Sequence, residues 1–199
     1  MIGKSINLIR NITPVFSIKD YLIEDNSLRD ILTINEIDNE FISIKTTGDG
    51  NCLYRSLSLL LFKTENNYKV VKLCHLSILN EYIFFFKKLQ LDTSFEIFME
   101  TTSKENRFAK SWNILACSIL LNKPIAMISI DEIKRTPYNQ IYNLSTNDKY
   151  LLYLVHSEKG KHFSPILLKN EKNIKLPNIT IDFYKNKKIQ NNLIIKLGY

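Results

Sequence analysis

The chain has 199 residues, 45% hydrophobic and 24% charged, with only five Gly and five Pro. That is the make-up of one folded domain with room for appendages, and it excludes a collagen-like, low-complexity or fully disordered chain. Lys and Arg outnumber Asp and Glu by 27 to 20, a formal charge of +7; the lysines are scattered among Asn and Ile and form no Arg-rich stripe with interleaved aromatics, so no nucleic-acid partner is expected.

In chain order, "MIGKSINLIRNITPVF" breaks its apolar residues with Lys4 and Arg10. It lacks the continuous apolar stretch and small-residue cleavage site of a signal peptide. "KDYLIEDNSLRDILTI" is amphipathic and predicts one or two short helices. "FISIKTT" alternates apolar and polar residues and reads as a strand. It enters the turn formers "GDGN" and then "CLYRSLSLLLF", where Leu53, Leu57, Leu60 and Leu61 share a helical face and Cys52 falls in the first turn.

"NNYKVVKLCHLSILNEYIFFFKKL" predicts one longer helix, with Val71, Cys74, Ile78, Tyr82 and Phe85 along a stripe. "SFEIFMETTSKENRFAK" predicts a charged helical segment leading to the helix "SWNILACSILLN". Pro124 stops that helix, and "PIAMISI" follows as a buried strand. "QIYNL" reads as an edge strand; "YLLYLV" and "HFSPILL" form a hairpin or adjacent strands around "HSEKGK". The tail segments "NITIDFY" and "NNLIIKLGY" add a strand or dock loosely. Helices in the middle and strands toward the end imply an α+β fold with a largely antiparallel or mixed sheet. The greasiest runs, "LSLLLF" and "YIFFF", fall far short of the ~20 residues that span a bilayer, so no membrane partner is expected.

Three cysteines, Cys52, Cys74 and Cys117, with no C-x-x-C pair, suit neither a disulfide framework nor a zinc site and point to a reducing compartment. Cys52 is the first candidate for chemistry. The unpaired N–H groups and dipole of a helix N-terminus favour thiolate over thiol and are expected to lower its pKa. Gly48 and Gly50 let the preceding loop turn sharply so that backbone N–H groups face one point, the geometry that holds an oxyanion, while Asp49 and Asn51 tie the loop to itself. Equally, D-G-N is a generic turn, and cysteines are often simply buried. A thiolate nucleophile needs a base. His75 lies mid-helix on an apolar segment and fits packing; His156 and His162 both flank the "SEKGK" turn, and pattern alone does not choose between them.

"TTGDGNCLYRSLS" closely resembles the catalytic loop and helix of the ovarian tumour (OTU) family of cysteine deubiquitinases, whose hallmark is D-G-N-C followed by an apolar residue, an aromatic and Arg or His. "SWNILACSILLNKPIAMI" is similar to that family's Trp-containing helix and central strand, and "LLYLVHSEKGKHF" to its closing strand, turn and His-aromatic pair. The resemblance implies an OTU-like domain over 41–168, a small mixed sheet packed between helical regions. It leaves an N-terminal extension, 1–40, integrated with the domain and a C-terminal extension, 169–199.

Carried over residue by residue, the resemblance implies Cys52 as nucleophile, His162 as general base, and Asp49 as the Asp of D-G-N-C, with Gly50 and Asn51 in the oxyanion loop. His156 aligns with no family position, and Trp112 matches an aromatic that packs in the core. One position departs: two residues after the histidine many members carry Asp or Asn, and this chain has Ser164. The orienting group is then Ser164 itself, an acid upstream of the cysteine (Asp20, Asp25 or Asp38), or absent, leaving a Cys-His dyad.

The implied activity is a thiol isopeptidase acting on ubiquitin, polyubiquitin chains or ubiquitin-like modifiers, as a monomer without metal or organic cofactor. The charged segment 94–110 is an expected part of its ubiquitin surface. An inactive ubiquitin-binding module is the alternative that Ser164 keeps open. The Lys, Asn and Ile bias suits an AT-rich genome such as that of a virus or intracellular pathogen, and the expected location is the cytoplasm of its own cell or a host.

Overall fold

The computed structural model describes residues 2–14, 22–89, 93–142 and 151–169. Asp20 and the tail segments "NITIDFY" and "NNLIIKLGY" lie outside the described residues. Helices α1 (Ile2–Asn11) and α2 (Arg29–Ile34) precede strand β1 (Phe41–Ser43). Helices α3 (Cys52–Phe62), α4 (Tyr68–Glu81), α5 (Ile83–Lys88), α6 (Phe95–Ser103) and α7 (Ser111–Leu121) follow. The strands β2 (Ile125–Ile128), β3 (Ile130–Asp131), β4 (Thr136–Pro137), β5 (Gln140–Tyr142), β6 (Leu152–Ser157) and β7 (His162–Leu168) close the chain.

Five strands form one sheet in the order β1-β7-β6-β2-β5, with β3 and β4 paired apart from it. The β2–β6 pairing is parallel and the others antiparallel, so the sheet is mixed. Both faces are covered, and the side-chain alternation shows it. Ile42, Ile125, Met127, Leu152, Leu154, Phe163 and Leu167 join the large core with helices α1, α3, α4 and α7. Phe41, Ala126, Ile128, Tyr153, Val155 and Ile166 face the other way onto Leu28, Ile31 and Leu32 of the α2 region. That is why "LYLV" is apolar throughout instead of alternating: a central strand buried on two sides has no solvent face.

The hairpin and edge strand fall where the sequence predicts them, as does the start of α3 at Cys52. Two helical segments are shorter than predicted. The long helix breaks at Tyr82, whose φ of −101° and ψ of 28° end α4, within a run of aromatic and β-branched residues that are weak helix formers. Helix α6 ends at Ser103, and Lys104 is extended; residues 104–110 form a strap beside the 48–52 loop. Trp112 packs against the large core. Among the described residues no helix is long and apolar enough to cross a membrane.

Helix α1 is built into the domain. Ile6 and Ile9 are buried in the large core. Arg10 Nε donates to Leu120 O at 3.1 Å, and the ammonium of the buried Lys123 donates to Arg10 O at 2.7 Å, so the C-termini of α1 and α7 are tied together. Ile9→Ala is expected to lower unfolding free energy by about 2–4 kcal/mol, read from urea denaturation; a loss below about 0.5 kcal/mol would mean that α1 folds apart from the core.

Candidate active site

Three segments meet at the carboxyl end of the 45–52 loop. Cys52 opens α3, His162 opens β7, and Asp25 arrives from upstream. The β6–β7 hairpin register, Ser157 opposite His162 and Val155 opposite Ser164, sets the histidine immediately after the turn. Asp25 is brought in by a backbone bridge along the free side of β1: Glu24 pairs with Ile44, Asp25 N–H donates to Ser43 O at 2.8 Å, and Lys45 N–H donates to Ile23 O at 2.7 Å. Ser43 Oγ also donates to the Asp25 carbonyl at 2.8 Å. The acid is thus held by main chain before its side chain does anything.

The hydrogen bonds around His162 assign its tautomer. Asp25 Oδ2 lies 3.5 Å from His162 Nε2 and accepts from Ser164 Oγ at 2.9 Å; Asp25 Oδ1 accepts from the N–H and hydroxyl of Ser27. Thr46 Oγ1 is 3.4 Å from the same Nε2, and its single proton goes to Phe163 O at 2.8 Å. Both groups facing Nε2 are therefore acceptors, and Nε2 carries the proton. The lone pair falls on Nδ1. That nitrogen faces the catalytic loop: a Cβ built on Gly48 would sit 3.8 Å from it.

Cys52 is 1% exposed. Burial pushes its thiol above the usual cysteine range, while hydrogen bonding from the backbone of Phe163, Leu53 and Cys52 itself pulls the other way and the nearby Asp49 charge adds to the rise. The sequence expectation of a depressed thiol is corrected here: desolvation outweighs the helix N-terminus. The Phe163 backbone acts on the thiol because α3 packs directly against β7. Burial likewise pushes His162 below the ordinary imidazole value, against the raising influence of Asp25 and Glu65. Both shifts favour the neutral thiol and the neutral imidazole over the ion pair.

Asp49 is engaged in building the loop. Its carboxylate takes Arg55 Nε at 3.1 Å and Arg55 Nη2 at 2.7 Å, and the Asn51 N–H at 3.0 Å; the Arg55 guanidinium holds it at a pKa of about 2. The guanidinium in turn lies 3.9 Å over the Tyr68 ring and 3.6 Å from Glu65. Because the Asn51 N–H is already given to Asp49, it is not free for an oxyanion. Gly50 has φ of +81°, and a Cβ there would come within 2.4 Å of the Asn106 carbonyl carbon, so only glycine lets the strap lie against the loop.

The remaining sequence candidates separate cleanly. Ser164 is brought to the site, but it donates to Asp25 instead of accepting from the imidazole. Asp38 is not: its carbonyl accepts from Lys169, at the opposite end of β7 from His162. His156 stacks on Phe163 at 4.3 Å between centroids, its pKa pushed down to about 4 by burial and then by His162. His75 is fully buried beside Tyr54, pushed down to about 3 by burial. Among the described residues no group of His, Cys, Asp and Glu is placed to hold a metal ion. Thr46, Arg55 and Lys72 carry no signal in the local pattern beyond the Arg of the hallmark; residues 104–110 fall in the charged segment 94–110, expected from sequence to meet ubiquitin, and the structure lays them against the 48–52 loop.

A cleft of about 430 Å³ opens beside His162, lined among others by Lys45, Gly48, Phe108, Ser157 and Lys161. The family model described as OTU-like cysteine protease matches residues 47–163, more than half of the chain. No curated protein sequence matches it. Among solved structures, the OTUD1 OTU domain superposes with a TM-score of 0.60 at 17% identity, over 70% of this chain and 93% of that one. The viral OTU domain protease of Taggert virus gives 0.56 at 16%, over 82% and 97%. The Hazara virus OTU bound to ubiquitin gives 0.54 at 19%, over 81% and 98%. At these identities the likeness is one of fold.

Proposed function

The chain belongs to the OTU-like cysteine protease family, and we propose that it is a thiol isopeptidase that releases ubiquitin, or a ubiquitin-like modifier, from lysine side chains. The observation that carries the reading is the oriented imidazole: Nε2–H held by Asp25 and Thr46, Nδ1 turned to the loop that ends in Cys52. Two neighbours of the same fold, the Hazara virus OTU and an OTU domain in complex with ubiquitin, were solved with that modifier bound.

In this mechanism the modifier's C-terminal tail enters the cleft. Nδ1 of His162 takes the Cys52 proton as Sγ attacks the carbonyl of the terminal residue, and the C=O electrons move onto oxygen. Free N–H groups of the 48–52 loop bind that oxyanion. Asp25 stabilises the imidazolium just formed. The imidazolium returns its proton to the lysine nitrogen as the C–N bond breaks, leaving a thioester. Water then gives one proton to Nδ1 and adds to the thioester carbonyl; collapse expels the Cys52 thiolate, which His162 reprotonates, and releases the carboxylic acid, which ionises by losing its proton to solvent. Ser164 holds the carboxylate that does the orienting, so its lack of charge does not by itself favour an inactive module.

Ubiquitin carrying a C-terminal thiol-reactive electrophile is expected to form a stable adduct with the wild type and none with Cys52→Ala, seen as a mass shift on a gel. Binding without an adduct would favour the non-cleaving module, and an adduct with Cys52→Ala would move the nucleophile elsewhere. Asp25→Asn is expected to lower kcat/KM by about 10²–10³-fold, within the about 10⁴ lost with the orienting acid of the serine-protease template. The pH profile supplies the sign. His162 is already below 6.5 and Asp25 raises it, so removing the charge moves the acid limb to still lower pH. A limb that stays in place would separate Asp25 from the imidazole.

A further inference from the structure

The catalytic loop is held from a second direction by a group that the mechanism does not use. Lys72, on α4, is 4% exposed. Its ammonium donates to Asn51 Oδ1 at 3.0 Å and to the Lys104 carbonyl at 2.6 Å, and lies 5.6 Å from the centre of the Tyr54 ring. Asn51 is fully buried, and its amide nitrogen turns the other way, to Glu105 Oε2 at 3.1 Å, Asn106 Oδ1 at 3.3 Å and Asp49 Oδ2 at 3.4 Å. Strap residues 104–107 are exposed on their outer side, so what fastens them lies beneath. Their ends are fixed elsewhere: Asn113, in the first turn of α7, bonds both the Lys110 N–H and Thr102.

We propose that Lys72 is a positioning residue for catalysis: it clamps the 104–107 strap onto the oxyanion loop through Asn51, fixing the turn from Gly50 to Cys52 and the place of Phe108 at the cleft. The inference rests on the thiol-protease reading. Its physical ground is directional. The ammonium has only protons to give, so it dictates that Asn51 presents oxygen to α4 and nitrogen to the strap and Asp49. With that amide fixed, Asp49 is held from two sides, by Asn51 and by Arg55, and the loop N–H groups are preset before substrate arrives. A hydrophobic side chain at 72 would fill the space without setting the amide. Burying an ammonium carries a desolvation penalty of several kcal/mol, so its value lies in specifying one arrangement more than in stability.

Lys72→Met tests this, with Lys72→Gln, whose amide keeps N–H donors but loses the charge and adds an acceptor, as the second variant. Hydrogen exchange is read first because it needs no substrate. In Lys72→Met, amides of 49–52 and 104–107 should exchange at least about tenfold faster while those of β6 and α7 do not change; uniform acceleration, or none, overturns the clamp. For activity, kcat on a ubiquitin conjugate should fall about 100-fold, the loss a displacement of about 1 Å produces. KM should stay within threefold. Lys72→Gln should fall between. A kcat within threefold of wild type, or a KM that rises in step with the loss of kcat, contradicts the proposal. A wild type that does not cleave while the exchange pattern appears as stated would instead fail the protease reading.

Discussion

A neutral imidazole has one N–H to give and one lone pair to accept with, and the site depends on which nitrogen has which. Thr46 spends its only proton on Phe163 O, and Asp25 has none, so both turn acceptors to Nε2. The rest of the arrangement secures those two groups. The bridge from residues 23–25 to the end of β1 carries Asp25 in, Ser27 and Ser164 occupy the carboxylate oxygens that would otherwise swing it, and the β6–β7 register brings His162 to meet it. The proton acceptor is then aimed by default at the loop before Cys52.

Aim is separate from charge. Desolvation lifts the Cys52 thiol and depresses the His162 imidazole, and the nearby carboxylates do not reverse either effect. Each unit by which the two pKa values are inverted places the ion pair about 1.4 kcal/mol above the neutral pair. Both shifts disfavour a standing thiolate–imidazolium pair. The fixed charges serve a different purpose: Arg55 of α3 holds Asp49 and Lys72 of α4 holds Asn51, and Gly50 lets the strap close over the loop.

Much of this was legible in the residues. Turn formers before an apolar helix locate Cys52 at the start of α3, and two apolar runs around "HSEKGK" locate His162 at a hairpin. What local pattern does not carry is long-range registry. Asp20, Asp25 and Asp38 look alike in sequence; only the bridge to β1 singles out Asp25, and Asp38 ends up beside Lys169. Ser164 reads as a weak substitute for an acid because its partner, 139 positions away in the chain, is invisible locally. Lys72 reads as a solvated lysine on a helix until the strap covers it. The direction of the thiol's shift is not legible locally, because helix position is local and burial is a property of the whole fold.

The account rests on the protonation state of one ring, and nitrogen NMR of the imidazoles measures it directly. At pH 7.5, in protein with histidine labelled at both ring nitrogens, His162 should show a protonated Nε2 and an unprotonated Nδ1, with Asp25→Asn weakening that preference. A His162 protonated on Nδ1, or on both nitrogens as an imidazolium paired with a thiolate, would contradict it.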